Sequence, residues 1–385
     1  MAENHFFHRA QYAKDLAVQL LKPTALQLQV RSGVFLSGIR RIGKTTFLRQ
    51  DLIPALESMQ ALVIYVDLWA DRSKSPALLV HEAVKTTLSE LTSPGTRLLE
   101  RFKGLNMGAA GFSFGFQVDA VGKPGGATLS EVFTELVDKV NTNVVLILDE
   151  VQQALVTEDG NNLLFALKAA RDAVNTRPGT PGHLLFLGTG SHKSLMADMA
   201  TRRSRPFAGA VATEYEPLGS EFVRWKHEQL QPLKGIKLPS QDVMWQGFLA
   251  IGQRPEELQN ALVLLQSRPE DPDLAFPIIC TTLAASATEV EIATVESMGA
   301  LASAIFDRVA QGNEAGESGL FSADAIQAYA EQIGIAVDTT QVQNTMDRMI
   351  TANLIHRRSH GVYAIADPFV RQAWQQRKAL KLPSQ

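Results

Sequence analysis

A single cysteine, Cys280, is all the thiol chemistry in this 385-residue chain. One thiol excludes an internal disulfide and any zinc site built from cysteines. Cys280 sits in the apolar run Phe276 to Ala285 and reads as a small buried hydrophobe. Such usage suits a reducing cytoplasm. Net charge is equally scarce: 37 Lys/Arg against 40 Asp/Glu leave −3. The whole molecule is therefore no electrostatic trap for nucleic acid, and any DNA contact must come from a local basic patch. Long hydrophobic runs are missing too. No stretch approaches the roughly 20 apolar residues of a membrane span. Met1 to Leu21 carries charges throughout and lacks a signal-peptide core. There is no internal repeat, no low-complexity segment and no nucleophilic triad, and His183, in an apolar strand, reads as structural. What remains, 45% hydrophobic and 20% charged residues, describes a globular chain that can bury a sizeable core in two or three domains.

Against that background one stretch stands out: Gly38-Ile39-Arg40-Arg41-Ile42-Gly43-Lys44-Thr45-Thr46, a G-x-x-x-x-G-K-T phosphate-binding loop. Val34 to Leu36 is an apolar strand feeding it. Lys44 to Ile53 follows with Phe47, Leu48 and Leu52 at helical spacing, and Pro54 is expected to end or kink that helix. Gly38 and Gly43 carry no Cβ, so the backbone can wrap an anion closely. Loop N–H groups and the helix N-terminus then face the phosphates. Lys44 would reach the β- and γ-phosphates, and the Thr45 hydroxyl would hold Mg²⁺.

A second motif completes the first. Val144 to Leu148 is a central apolar strand ending in Asp149-Glu150. After a phosphate loop this is the Walker B element, in which Asp149 orients the Mg²⁺ shell and Glu150 polarises the attacking water. Ala61 to Asp67 reads as a buried parallel strand. Gly182 to Leu187 is another, running into Gly188-Thr189-Gly190-Ser191-His192. Thr189 or Ser191 there is a candidate for sensing the γ-phosphate, or equally caps the next helix, Lys193 to Met199. Arg202, Arg203 and Arg205 form a cationic loop, either an arginine finger for a neighbouring subunit's site or a solvated basic loop. Ala208 to Tyr215 is the last strand of the sheet.

Between these elements, helices are expected over Arg9 to Leu21, Pro76 to Leu91, Thr128 to Val140, Leu163 to Val174 and Ser220 to Leu230. Gly104 to Gly126 is glycine-rich and alternates around Phe112, Phe114, Phe116 and Val118, which reads as a hairpin insertion. From about residue 235 strand signals cease. Asp242 to Leu249, Pro255 to Leu265 and Val290 to Val309 read as helices of a lid, with Arg254 at a helix start as a candidate second sensor of ATP. Gln311 to Gly319 reads as a linker. Helices over Ser322 to Gln332 and Thr339 to Asn353, turning at Gly334, precede a strand–turn–strand over Leu354 to Ile365, the winged-helix pattern. The second helix would read a DNA groove with Gln341, Gln343, Asn344, Thr345 and Arg348. The wing carries Arg357, Arg358 and two histidines. Ser318 to Gln385 holds seven Lys/Arg and five Asp/Glu, a balance of +2 that is modest for a DNA-binding module.

These segments, GIRRIGKTT from Gly38, LILDEVQQ from Leu146, GSHKSLM from Gly190, PFAG from Pro206 and GVYAIADPFVRQAW from Gly361, resemble the archaeal-type P-loop ATPases of the AAA+/STAND grouping, relatives of the origin-recognition ATPases. The resemblance runs over nearly the whole chain. It implies an α/β fold: an αβα parallel-sheet ATPase core (residues 1–234, insertion near 104–126), a helical lid (235–312) and a C-terminal winged helix (313–385). It implies that ATP or ADP with Mg²⁺ is bound by Gly38, Arg41, Gly43, Lys44, Thr45, Thr46, Ser191 and Arg254. Catalysis falls to Lys44, Asp149 and Glu150, with Thr45 and Asp149 on the metal. Members often have arginine after the glycine of Pro-Phe-x-Gly. Here Ala210 follows Gly209, so Arg202, Arg203 or Arg205 must serve as any trans-acting finger.

Two functions follow as expectations. One is an ATP-hydrolysing switch, as monomer or homo-oligomer, whose nucleotide state controls a winged helix on duplex DNA through Gln343, Arg348, Arg357 and Arg358. The other is a slow signalling or scaffold NTPase whose nucleotide is structural and whose winged helix docks a protein partner, an effector or defence component.

Overall fold

The computed structural model describes residues 6–71, 73–102, 111–155, 157–312, 316–359 and 361–381. The chain divides into two compact units. The first comprises Met1–Gly38, Lys44–Ser191 and Leu195–Tyr215. The second comprises Ile39–Gly43, His192–Ser194 and Glu216–Gln385.

The first unit opens with α1 (Ala10–Leu21), which buries Ala13, Leu16, Ala17 and Leu20 along one stripe. After β1 (Val34–Ser37) the chain passes through the glycine loop into α2 (Lys44–Phe47). The helix does not stop at Pro54. A π-turn, Leu48–Leu52, links α2 to α3 (Ile53–Ser58), and Ile53 N–H bonds Leu48 O. The helix widens to i→i−5 bonding just before Pro54, which has no N–H to donate, and the chain continues helical through it. Then come β2 (Leu62–Asp67), α4 (Pro76–Thr92), α5 (Arg97–Phe102), α6 (Leu129–Val140), β3 (Val144–Asp149), α7 (Glu158–Asn175), β4 (Leu184–Gly190), α8 (Lys193–Thr201) and β5 (Val211–Glu214). Thr128 and Glu131 close a capping box on α6.

The five strands form one parallel sheet in the order β2-β3-β4-β1-β5. β3 and β4 are central and buried throughout, as their unbroken apolar runs require. Consequently β1 and β3, which carry the two motifs, lie on either side of β4. Helices flank the sheet, and Phe133, Leu136, Val137, Leu164 and Leu167 join its core.

Residues 104–110 of the expected hairpin lie outside the described residues. From Gly111 to Gly126 there is no strand, only a 3₁₀ turn over Val118–Ala120. The alternating phenylalanines pack inward instead: Phe112 is buried, Phe114 and Phe116 stack at 5.5 Å, and both lean on the core. Backbone donors find helices rather than a partner strand. Phe112 N–H bonds Leu91 O at 2.9 Å, and Gly115 N–H bonds the Glu135 carboxylate at 2.7 Å.

The second unit contains α9 (Ser220–Leu230), α10 (Gln241–Ala250), α11 (Pro255–Gln266), α12 (Pro272–Ser297) and α13 (Ala300–Gln311). The helix expected over Val290 to Val309 is thus broken, at Gly299, whose φ of +104° ends one helix and starts the next. α12 is long and apolar enough to cross a membrane by length and composition. The sequence reading passed over it because Thr281, Thr282, Ser286 and Thr288 interrupt its apolar run, and those hydroxyls bond back to carbonyls of their own helix. Cys280 is buried as expected, against Gly247, and burial pushes its thiol up to about 12.

β6 (Glu317–Ser318), α14 (Ala323–Ile333), α15 (Thr339–Thr351), β7 (Ile355–Ser359), β8 (Val362–Ile365) and α16 (Pro368–Lys381) make the winged helix. Gly334, left-handed at φ +73°, turns α14 into α15. β6, β8 and β7 form an antiparallel wing. α13, assigned to the lid from sequence, shares its core with these elements: Ile305, Phe306 and Val309 lie with Tyr329, Met346, Met349 and Trp374, the Phe306 and Trp374 rings meeting edge-on at 4.9 Å.

Candidate functional site

The glycine loop is shaped by two left-handed residues, Arg41 (φ 67°) and Gly43 (φ 92°). Such alternation turns successive backbone N–H groups toward one side, a concavity suited to an anion. Gly43 is needed for its φ and not for space, since a Cβ there would meet nothing within 4 Å. Gly38 N–H bonds Gly190 O at 3.1 Å, tying the start of the loop to the end of β4. Lys44 is buried at the first turn of α2, and its Nζ donates to Gly38 O at 2.6 Å. Thr46, two places on, is exposed.

Asp149, at the tip of β3, is 1% exposed and accepts from four neutral donors. Thr45 Oγ1 and Tyr65 Oη donate to Oδ2 at 2.7 and 2.9 Å. Thr189 Oγ1 donates to Oδ1, as does Glu150 N–H at 3.1 Å. Three strands and the loop helix thus converge on one carboxylate. Thr189, one of the two sensor candidates, is therefore bonded to Asp149. Tyr65 extends the cluster outward: the Arg49 guanidinium lies over its ring at 4.7 Å. Burial and the Asp149 charge both raise the Tyr65 hydroxyl above its ordinary range, so it stays a donor. The hard oxygens of Asp149 and Thr45 are the donor set that magnesium prefers, and no cluster of three or more His, Cys, Asp or Glu suited to another metal occurs among the described residues.

Glu150 follows with a left-handed backbone, φ 56°, which ends the extended conformation of the strand. Gln152 Nε2 donates to Glu150 Oε2, and also reaches Ser191 Oγ at 3.4 Å. Ser191 itself is buried at the end of β4.

The remaining candidate cations are engaged by carboxylates or exposed. Within the first unit, Arg202 and Arg205 pair with Asp198 at 3.1 and 2.8 Å. Arg203 is exposed, with no ion pair among the described residues. Phe207 of the Pro-Phe-x-Gly segment is a core residue against Phe35 and Phe186. Within the second unit, Arg41 pairs with Glu257 at 3.1 Å and Glu256 at 3.7 Å. Arg254, at the N-cap of α11, pairs with Asp367 and lies 5.7 Å from the Phe369 ring centre. On α15, Gln343, Asn344 and Arg348 are exposed, whereas Thr345 is buried and so does not read a groove. Gln341 caps α15 with Asp338, and Gln343 Nε2 bonds Asp347 at 3.1 Å. On the wing Arg357 is exposed and His356 is buried. The Arg358 side chain and His360 lie outside the described residues.

No described protein family matches the sequence, and no curated protein matches it either. Solved structures do. The ADPNP–ADP complexes of the Aeropyrum pernix ORC2 protein superpose with a TM-score of 0.54 at 14% identity, covering 98% of each chain. Its ADP form gives 0.55 at 14% identity, over 98% of this chain and 97% of that one. This chain has the ORC2 fold. The Aeropyrum pernix ORC1 protein in complex with DNA aligns at 14% identity over 97% of this chain and 94% of its own, with a TM-score of 0.41, too loose a likeness to carry weight. The architecture is therefore an αβα P-loop sheet with a helical lid and a C-terminal winged helix.

Tyr65, Arg49 and Gln152 are the residues that sequence reading missed. Tyr65 had a signal: it is two places before Asp67 on β2, and hence on the same face of that strand. Gln152 lies in the LILDEVQQ segment two places after Glu150, so its position was visible but its bond to Ser191 was not; Arg49 had no signal, because Tyr65 comes from another element.

Proposed function

We propose that the chain binds and hydrolyses ATP, and that its nucleotide state governs a C-terminal winged helix that contacts duplex DNA. The observation that carries this reading is the 2.7 Å bond from Thr45 Oγ1 to Asp149 Oδ2, which joins the phosphate loop to the Asp-Glu strand end. The two motifs are 104 residues apart in sequence, and a chance glycine turn would have no reason to meet that carboxylate. Support also comes from the ORC2 fold, whose structures are nucleotide complexes.

In this reading the loop N–H groups, with Gly38, Gly43 and Thr46, cradle the phosphates, and Lys44 leaves Gly38 O for the β- and γ-oxygens. Thr45 and Asp149 hold Mg²⁺, which when bound neutralises charge on the phosphate oxygens. Glu150 accepts a proton from the attacking water. The water oxygen bonds to the terminal phosphorus, the bond to the ADP oxygen breaks, and the proton passes from Glu150 to solvent. Ser191 is the better-placed first sensor, because Thr189 is committed to Asp149. Arg41 and Arg254 contact nucleotide only after leaving Glu257 and Asp367. ATP shifts the state of the second unit by the margin with which these arginines prefer it to ADP. Of the finger candidates, Arg203 alone is unpaired among the described residues, which makes it the one to act in trans in a homo-oligomer. The lid and winged helix meet near α13, and the chain works in the cytoplasm.

One observation favours the second reading, a winged helix that docks a protein. Gln343 Nε2 is turned to Asp347 on its own helix and Gln341 Oε1 accepts from the N–H of the N-cap residue Asp338, so two of the expected groove readers are engaged within α15 and its cap. The experiment is ATP turnover with and without duplex DNA at low and moderate salt, beside Glu150→Gln. Retained nucleotide binding with turnover lowered about 10²- to 10⁴-fold in Glu150→Gln is expected for loss of a general base. Equal turnover would remove Glu150 from that role. Stimulation by DNA that survives moderate salt supports the first reading. Absent stimulation, together with co-purified ADP and negligible turnover, supports the second.

A further inference from the structure

Gln152 is 1% exposed, in the 3₁₀ turn Val151–Leu155 directly after β3. Its Nε2 donates to Glu150 Oε2 and reaches Ser191 Oγ at 3.4 Å. Its Oε1 is buried without a hydrogen-bond partner and lies against Gly190, where a Cβ would come within 2.3 Å of it. A methionine would fill this space without desolvating an amide, so packing does not explain a glutamine here. Turning the amide over would set its oxygen against a carboxylate oxygen, which fixes the orientation. Glu150 meanwhile leaves the strand in a left-handed conformation, so its own backbone does not hold the carboxylate in line with β3.

We infer that Gln152 is a positioning residue: it holds the Glu150 carboxylate and ties it to Ser191, so that the base and the sensing end of β4 act as one. The inference rests on the reading of Glu150 as the base. It adds a second link between strand ends, separate from the Thr189–Asp149 bond. Displacement of Ser191 by a γ-phosphate would be felt by Glu150 through a single side chain.

The test is steady-state ATP turnover and nucleotide affinity for wild type, Glu150→Gln, Gln152→Met, Gln152→Glu, Ser191→Ala and the double variant Gln152→Met/Ser191→Ala, with thermal midpoints as a check on folding. Gln152→Met keeps the volume and removes the donor. It is expected to lower kcat about 10- to 100-fold with ATP affinity within about twofold, a split that a packing role would not produce. Gln152→Glu, which places a second carboxylate beside Glu150, is expected to be at least as slow. The double variant should be much less impaired than the product of the two single effects, because the singles break the same chain. Wild-type turnover in Gln152→Met, or fully multiplicative effects with Ser191→Ala, would overturn the inference while leaving Glu150 as base. Equal turnover of wild type and Glu150→Gln would overturn the base reading, and the inference with it.

Discussion

Two charged sites, one in each unit, are neutralised in different ways. In the sheet unit the buried carboxylate of Asp149 is surrounded by neutral donors: two threonine hydroxyls, a tyrosine hydroxyl and a backbone N–H. In the second unit the arginines of interest are already neutralised, Arg254 by Asp367 and Arg41 by Glu257. A buried anion whose hydrogen bonds come from neutral groups, with the Arg49 charge acting on it from nearby, favours a further cation beside it. A paired arginine has no such want, and a ligand reaches it only by displacing its carboxylate. In the proposed reading the first arrangement takes up the ligand and the second responds to it.

The largest expected effect tests whether the sheet unit is the binding half at all. Lys44→Ala should weaken ATP by about 10²- to 10⁴-fold, from two lost charge-assisted hydrogen bonds of about 1.5–3 kcal/mol each. Titration calorimetry reads this directly, and near-wild-type affinity would break the comparison.

Opposite signs are expected when one carboxylate is neutralised in each unit. Asp367→Ala leaves the largely buried Arg254 guanidinium unpaired and should cost about 3 kcal/mol of unfolding free energy. Asp149→Asn removes a buried charge whose hydrogen-bond donors are neutral, so the nucleotide-free protein should gain about 1–2 kcal/mol while losing magnesium-dependent turnover. Denaturant midpoints for the two variants decide the matter, and like signs would refute the contrast.

His192, in the second unit, carries a pH signature. Burial first, then the nearby Arg40 charge, push its imidazole from 6.5 down to about 4, partly offset by a hydrogen bond to the Thr351 backbone. Between those values the unfolded chain binds the extra proton. The stability contribution is therefore complete above about pH 7 and is lost as pH falls through 6.5 toward 4, by up to about 3 kcal/mol. In His192→Gln that share of the acid dependence should vanish, which a comparison of unfolding midpoints from pH 7.5 to 4.5 would reveal.

The smallest effect concerns the exposed face of α15. Arg348→Ala should weaken duplex DNA about 3- to 10-fold and reduce the salt slope by about one. An unchanged slope would turn attention to a protein partner.

The sequence was most legible where function is written in contiguous residues. The phosphate loop, the Asp-Glu strand end and the winged-helix pattern each depend on neighbours in the chain, and local rules suffice to read them. The misreadings have specific causes. At Pro54 an end or kink was expected, but the helix widens into a π-turn and runs on. Across Phe112 to Phe116 a period of two was taken for a strand, yet the rings serve as anchors for a loop over the helices. Between Leu265 and Val290 the sequence reading assigned no helix, yet α12 begins at Pro272, its threonine and serine hydroxyls bonding back to carbonyls of the helix itself.

What the sequence by itself determined is the chemistry at hand: a lysine and a threonine at a helix start, two acids at a strand end, arginines at 41 and 254. What only the tertiary structure decided is who holds whom. That Thr189 belongs to Asp149, that Gln152 bridges Glu150 and Ser191, and that Arg254 is held by Asp367 all depend on strand order and helix packing between residues 39 to 113 positions apart. Short motifs fix which groups are present because each is a local pattern. Partnership is fixed by which strand ends the sheet sets side by side, and no local pattern carries that.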